Sequence, residues 1–183
     1  MRVIAGTARG ARLDSLPGGD VTRPTVDRVK EAMFSAVQFL IEGARVLDLF
    51  AGSGQLGIEA LSRGAARCVF LDADRGACAV VRRNLKATGL AQRAEVREGM
   101  AQGYLPRCVE KFDLVLMDPP YRHGTVPDLL PLVETVTAPG GVVIAETEYG
   151  APLPERCGSL ILKKQYKYGT VALARYEKGS EDE

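Results

Sequence analysis

From Arg45 onward, apolar runs of strand length alternate with segments whose apolar residues recur at helical spacing. No other property restricts the fold of this 183-residue chain as much. "ARVLDLF" reads as a buried strand, "GQLGIEALSRG" as a helix closed by Gly64, "RCVFLDA" as a strand and "GACAVVRRNLKATG" as a helix closed by Gly89. The alternation continues through "AEVRE", a helix near residues 100–109, "FDLVLMD", a helix near 126–137, and "GVVIAET". Strands apolar on both faces, joined through helices, predict an α/β fold with a mostly parallel sheet covered on both sides. "SLILKKQY" and "TVALARY" have no helix between them and predict a C-terminal antiparallel hairpin turning at Tyr168 and Gly169. Upstream, "RVIAG" and "ARLDSL" predict a small N-terminal β-hairpin arm outside the main sheet, followed by the link "PGGDVTRP". Val26, Val29, Met33, Val37 and Leu40 then fall on one helical face, with Thr25 placed to cap it. The expected organisation is a single domain over 1–183: arm and link 1–24, α/β core 25–176, acidic tail 177–183.

Composition supports a globular chain, with 46% hydrophobic and 26% charged residues. No run of 18 apolar residues and no basic-plus-apolar leader occurs, so neither a membrane span nor a signal peptide is expected, and the location predicted is cytoplasmic. Cys68, Cys78, Cys108 and Cys157 are scattered and His123 is the single histidine, so no metal site is expected. The net charge of +1 argues against a general polyanion-coating protein, but its distribution is uneven. Residues 1–30 carry Arg2, Arg9, Arg12, Arg23, Arg28 and Lys30 against Asp14, Asp20 and Asp27, and Lys163, Lys164 and Lys167 form a second group.

In "DLFAGSGQLG", Gly52, Gly54 and Gly57 satisfy GxGxxG between a strand and a helix, where a tight turn lets a nucleotide-like ligand approach the backbone. NAD or FAD fits that spacing equally well. Asp48 shifts the balance, because a carboxylate is unwelcome beside a pyrophosphate but can bind an amino-acid ammonium group. S-adenosylmethionine carries such a group and no phosphate. At the end of the next strand, "FLDAD", Asp72 suits the two ribose hydroxyls. Asp74 competes for that role but is better placed to cap the following helix.

The stretch "LVLMDPPYRHG" runs a buried strand into Asp118, two prolines and Tyr121. Prolines end a strand and leave its carbonyls without regular partners, so the segment is either a plain strand-ending turn or a site that uses those carbonyls. With the glycine motif about 70 residues upstream, it resembles methyltransferases that alkylate exocyclic amino groups and carry Asp/Asn-Pro-Pro-Tyr/Phe after the fourth strand. Over nearly the whole chain, "RVIAGTARGARL", "TRPTVDRVKEAMF", "VLDLFAGSGQLGIEALSRGA", "DLVLMDPPY" and "YKYGT" are similar in order and spacing to the bacterial 16S ribosomal RNA guanine-N2 methyltransferase family.

The resemblance implies a Rossmann-like class I methyltransferase fold with seven strands, S-adenosylmethionine as cofactor, and a guanine of 16S rRNA as target, within a small ribosomal subunit or assembly intermediate. It implies an enzyme acting as a monomer. Cofactor-binding residues would be Asp48, Phe50, Gly52, Ser53, Gly54, Asp72, Ala73 and Met100. Asp118, Pro119, Pro120 and Tyr121 would hold the flipped base, and Arg9, Arg12, Arg23 and Arg28 would meet the RNA. Two departures stand out: Gly99 and Met100, after Glu98, replace the usual aspartate beyond strand three, and Asp72 replaces a glutamate. Three other readings use the same residues: an adenine-N6 methyltransferase, a catalytically relic rRNA-binding assembly factor, and a nicotinamide oxidoreductase. The last lacks a recognisable hydride-transfer site.

Overall fold

The structure, a computed structural model, describes residues 1–18, 24–120 and 124–180. Its frame is one sheet built from β1 (Arg45–Leu49), β2 (Arg67–Asp72), β3 (Ala94–Glu98), β4 (Phe112–Met117), β5 (Thr137–Glu148), β6 (Arg156–Cys157), β7 (Leu160–Tyr168) and β8 (Val171–Lys178). The strand order is β3-β2-β1-β4-β5-β8-β7-β6. The first five strands are mutually parallel, and β8, β7 and β6 continue the sheet antiparallel. This is the mostly parallel sheet with a C-terminal hairpin that the periodicity predicts, in the Rossmann-like form that the resemblance implies. An eighth strand appears because Arg156 and Cys157 pair with Ile161 and Leu160 at the edge.

Helices α1 (Pro24–Val37), α2 (Gln55–Ser62), α3 (Arg75–Thr88), α4 (Ala101–Tyr104) and α5 (Thr125–Val136) cover the sheet. Alternate strand residues feed two cores. Val46, Leu114 and Ile144 join Met33, Phe34, Ile58 and Leu61 on one face, while Leu49, Val115 and Val143 join Leu129, Leu130 and Val133 on the other. Burial on both faces explains why these strands read as continuous apolar runs. Gly57 shows how closely helix and sheet approach: a Cβ there would lie 2.3 Å from Phe70 Cε1 and 2.7 Å from Cys68 Sγ.

Several expected boundaries shift. Helix α1 starts at Pro24, so Thr25 is a residue within the helix and not the one that precedes it. Proline suits a first helical position because its fixed φ is already helical and its missing N–H would have no partner there. Strand β5 begins at Thr137, four residues before the expected "GVVIAET", through an irregularity opposite Phe112 and Leu114. Strand β8 continues to Lys178, so Glu177 and Lys178 belong to the sheet and not to a frayed tail.

The N-terminal arm lies outside the sheet as expected, but it is a docked cover with one bridge, Arg2 to Arg12, in place of two full strands. Val3 and Leu13 are buried. The fully buried Glu59 of α2 accepts the N–H groups of Ile4 and Ala5, both at 2.9 Å, and pairs with Arg63 at 2.9 Å and Lys30 at 3.4 Å. Lys30 also donates to the carbonyl of Arg2, and burial lowers its pKa. Lys30 therefore belongs to the interior and drops out of the basic surface that the sequence suggests. Ser62 completes the seat, donating to the carbonyl of Ala5 and accepting the N–H of Ala8. Gly6 crosses here at φ +84°, where a Cβ would stand 1.8 Å from the Ser62 carbonyl oxygen, so only glycine fits.

Candidate active site

Strand β1 lies between β2 and β4, which makes the carboxyl end of β1 the switch point where open α/β sheets form a ligand crevice. Directly after β1 the backbone enters the left-handed region three times, at Phe50 (φ 70°), Gly52 (φ 57°) and Gly54 (φ 81°). Phe50 is the single non-glycine residue with positive φ among the described residues, and such strain persists only where the surroundings impose it. The Gly52 N–H donates to Asp72 Oδ2 at 2.8 Å, and Asn84 of α3 donates to the carbonyl of Ser53 at 2.9 Å. The Ser53 hydroxyl points away toward Met1 Sδ, 3.7 Å distant. Both sides of the turn are thus fixed by side chains from neighbouring elements.

Asp48 lies beneath this turn, 1% exposed. Its Oδ2 accepts the Gly57 N–H at 2.9 Å, while Oδ1 is buried with no hydrogen-bond partner among the described residues. Burial, with added repulsion from Asp118 and Asp72, pushes its pKa up to about 8. An orphaned carboxylate oxygen flanked by two more acids calls for a cation. It is the wrong environment for a pyrophosphate.

Asp74 caps the helix that follows it, as the spacing predicts. Asp74 Oδ1 accepts the N–H groups of Gly76 at 2.6 Å and Ala77 at 3.2 Å and caps α3. Asp72 accepts one backbone N–H on each oxygen, from Gly52 and from Asp74, so each oxygen keeps further acceptor capacity. Ala73 is exposed beside it. Glu98 pairs with Asp72 across β2 and β3, and Met100, 64% exposed, follows at the start of α4.

Asp118 follows the last paired residue of β4. Burial, and then repulsion from Glu146, pushes its pKa up to about 7. Pro119 is buried and Pro120 exposed. Beside them a cavity open to solvent is lined by Pro119, Pro120, Val126, Glu146, Thr147 and Leu153, among others. Tyr121 and His123 lie outside the described residues, as does Arg23. Arg9 and Arg12 are exposed on the docked arm and Arg28 on α1. The second basic group sits on the hairpin, where Lys167 lies 4.0 Å from the centre of the Tyr149 ring and Lys164 lies 4.8 Å from that of Tyr166.

Sequence reasoning did not single out Glu59, Asn84 or Glu146. Asn84 leaves a trace, a polar residue on the apolar face of "AVVRRNL". Glu59 and Glu146 read as ordinary helix and strand-end charges.

The sequence profile of the family described as conserved hypothetical protein 95 matches residues 1–177. The chain belongs to this family. Ribosomal RNA small subunit methyltransferase D of Escherichia coli is 34% identical over 185 residues, covering 100% of this chain and 92% of that protein. A Bacillus subtilis protein described as a candidate rRNA methyltransferase is 39% identical over 183 residues, covering 97% of this chain and 99% of the relative. A solved Escherichia coli structure described as a candidate methyltransferase superimposes with a TM-score of 0.87 at 34% identity, over 99% of each chain. The described residues of the five segments that carry the family resemblance fall in the docked arm, α1, β1 with α2, the end of β4 and the β7–β8 turn. Tyr166 and Tyr168 of the last segment pack against the same core as Val3 and Leu13 of the first.

Proposed function

We propose that this protein transfers a methyl group from S-adenosylmethionine to the exocyclic N2 amine of a guanine in 16S ribosomal RNA. It would do so as a cytoplasmic monomer acting on a small subunit or an assembly intermediate. The observation that carries the reading is the pairing of a cation-seeking crevice, marked by the orphaned Asp48 Oδ1, with Asp118-Pro119-Pro120 at the end of the adjoining strand. Asp48 would hold the cofactor's ammonium group, Asp72 its ribose, and Phe50, Gly52, Gly54, Ala73 and Met100 the walls around it. Ser53 would contribute through its backbone. When bound, the cofactor supplies an electrophilic methyl group on a sulfonium.

The exocyclic amine of guanine is a poor nucleophile because its lone pair is delocalised into the ring, so positioning matters more than deprotonation. Asp118 and the carbonyl of Pro119 accept its two N–H bonds, turn the lone pair toward the methyl group and stabilise the positive charge that grows on nitrogen. Pro120 has no N–H to compete for that carbonyl. Tyr121 stacks on the flipped base, and Asp118 or water takes the proton released after transfer. The test is incubation with labelled cofactor and naked 16S RNA, small subunits or duplex DNA from a strain lacking the enzyme, followed by nucleoside identification. N2-methylguanine in the small-subunit RNA is expected, and N6-methyladenine would overturn the assignment.

Two variants probe the binding roles. Asp72→Ala should weaken S-adenosylmethionine binding by about 1.5–3 kcal/mol, the worth of hydrogen bonds to a charged group, while the protein stays folded. Unchanged affinity by calorimetry would remove Asp72 from the ribose. Replacing Arg9 and Arg12 together by alanine should weaken RNA binding, lower the slope of log affinity against log salt by roughly two, and leave cofactor affinity unchanged. An unaltered slope would move the phosphate contacts to Lys163, Lys164 and Lys167.

A further inference from the structure

A second carboxylate stands beside Asp118. Strands β4 and β5 are parallel neighbours whose last paired residues are Met117 and Ala145, so Asp118 and Glu146 follow as adjacent positions on strands roughly 4.8 Å apart. The charge of Glu146 acts on Asp118, and Glu146 lines the cavity together with Pro119 and Pro120. Two acidic side chains side by side repel each other. That arrangement suits a ligand that presents a row of hydrogen-bond donors.

Guanine is such a ligand, because its N1–H and its N2 amine lie along one edge. If Asp118 and the Pro119 carbonyl take the two amine hydrogens, the N1–H enters the same crevice and needs an acceptor of its own. A donor buried there without one would oppose binding. Adenine presents a lone pair at N1, which a carboxylate repels. We propose that Glu146 is the specificity-determining residue of this site, accepting the N1–H of the target guanine and excluding bases whose N1 is an acceptor. The inference rests on the methyl-transfer reading and extends it to the identity of the base, which the Asp-Pro-Pro-Tyr segment does not specify.

The test uses 2,6-diaminopurine, which keeps an exocyclic amine at position 2 but has a lone pair at N1. Small-subunit RNA is rebuilt with guanine or 2,6-diaminopurine at the nucleotide that the wild-type enzyme methylates, and kcat/KM is measured for each. The wild type should prefer guanine by roughly 10–100-fold, the usual range for one base-edge contact. Glu146→Gln keeps the shape, and its amide can offer an N–H to the N1 of diaminopurine. This variant should lower activity on guanine and bring the two substrates within a few-fold of each other, with S-adenosylmethionine affinity unchanged by calorimetry. A wild type that uses both bases equally overturns the proposal. So does an E146Q variant that slows both equally, which would make Glu146 a positioning residue acting through Asp118. If the wild type methylates no guanine in the small subunit, the methyl-transfer reading itself fails, an outcome visible before any variant is made.

Discussion

Asp118→Ala should lower kcat by about 10²–10³-fold while leaving S-adenosylmethionine affinity within a factor of two, because the contacts assigned to this carboxylate are to the target amine and strengthen as charge develops there. The same variant separates a base clamp from a strand-ending turn through stability. Burial and Glu146 hold the folded-state pKa of Asp118 at about 7, above its ordinary value of 3.8. A carboxyl group whose pKa is raised on folding has no net effect below the unfolded value. It then costs the fold stability progressively as pH rises toward the folded value. Removing Asp118 should therefore stabilise the protein at pH 8 relative to pH 4, where a turn-making aspartate would destabilise on removal at both. Wild-type kcat/KM should rise with pH below about 7, since the ionised carboxylate is the form that both accepts the amine N–H and balances the positive charge growing on nitrogen. Urea titrations at the two pH values, with single-turnover rates, check both halves. Loss of stability at pH 8 together with a proportional loss of activity would leave Asp118 as a turn residue.

The legible parts of this molecule are those where one residue type has one physical use. Strands buried on both faces must be apolar throughout, so β1, β2, β4 and most of β5 stand out. Gly57 and Gly89 mark a close helix-to-sheet approach and a left-handed helix end, which few other residues tolerate. Asp74 sits where a helix needs a cap, and it caps. The illegible parts depend on tertiary neighbours. Thr25 reads as a cap until Pro24 is seen to take the first helical position. Strand β6 is two residues long and pairs through its backbone, so side-chain pattern carries no trace of it. Lys30 and Glu59 read as surface charges because nothing local shows that the arm folds over them. Glu146 ends a strand in "IAETE", a position that looks solvent-facing until β4 brings Asp118 beside it.

The seat of the arm carries the largest expected stability effect. Glu59 is a fully buried carboxylate with four partners: the Ile4 and Ala5 N–H groups, Arg63 and Lys30. Glu59→Ala would leave the Lys30 ammonium, 2% exposed, without its countercharge and two backbone donors without acceptors. Breaking a buried ion pair from one side costs about 3–5 kcal/mol, a large share of the roughly 5–15 kcal/mol that holds a domain folded. The arm should detach before the sheet unfolds, because Val3 and Leu13 are its main apolar anchors and its residues 4–8 are tied to Glu59 and Ser62 of α2, leaving chiefly the Asp14 end held, by Asn84 of α3. Trypsin should then cleave the variant after Arg9 or Arg12 under conditions that leave the wild-type arm intact. Adding Lys30→Met should recover part of the lost stability, since an apolar side chain of similar length removes the stranded charge, but it should not restore trypsin resistance, because the Ile4 and Ala5 donors stay unpaired. Urea unfolding and timed proteolysis of the wild type, E59A and the double variant measure both effects. A loss below about 1 kcal/mol in E59A would mean that Lys30 escapes to water and that the arm is held by Val3, Leu13 and its hydrogen bonds to Ser62 and Asn84.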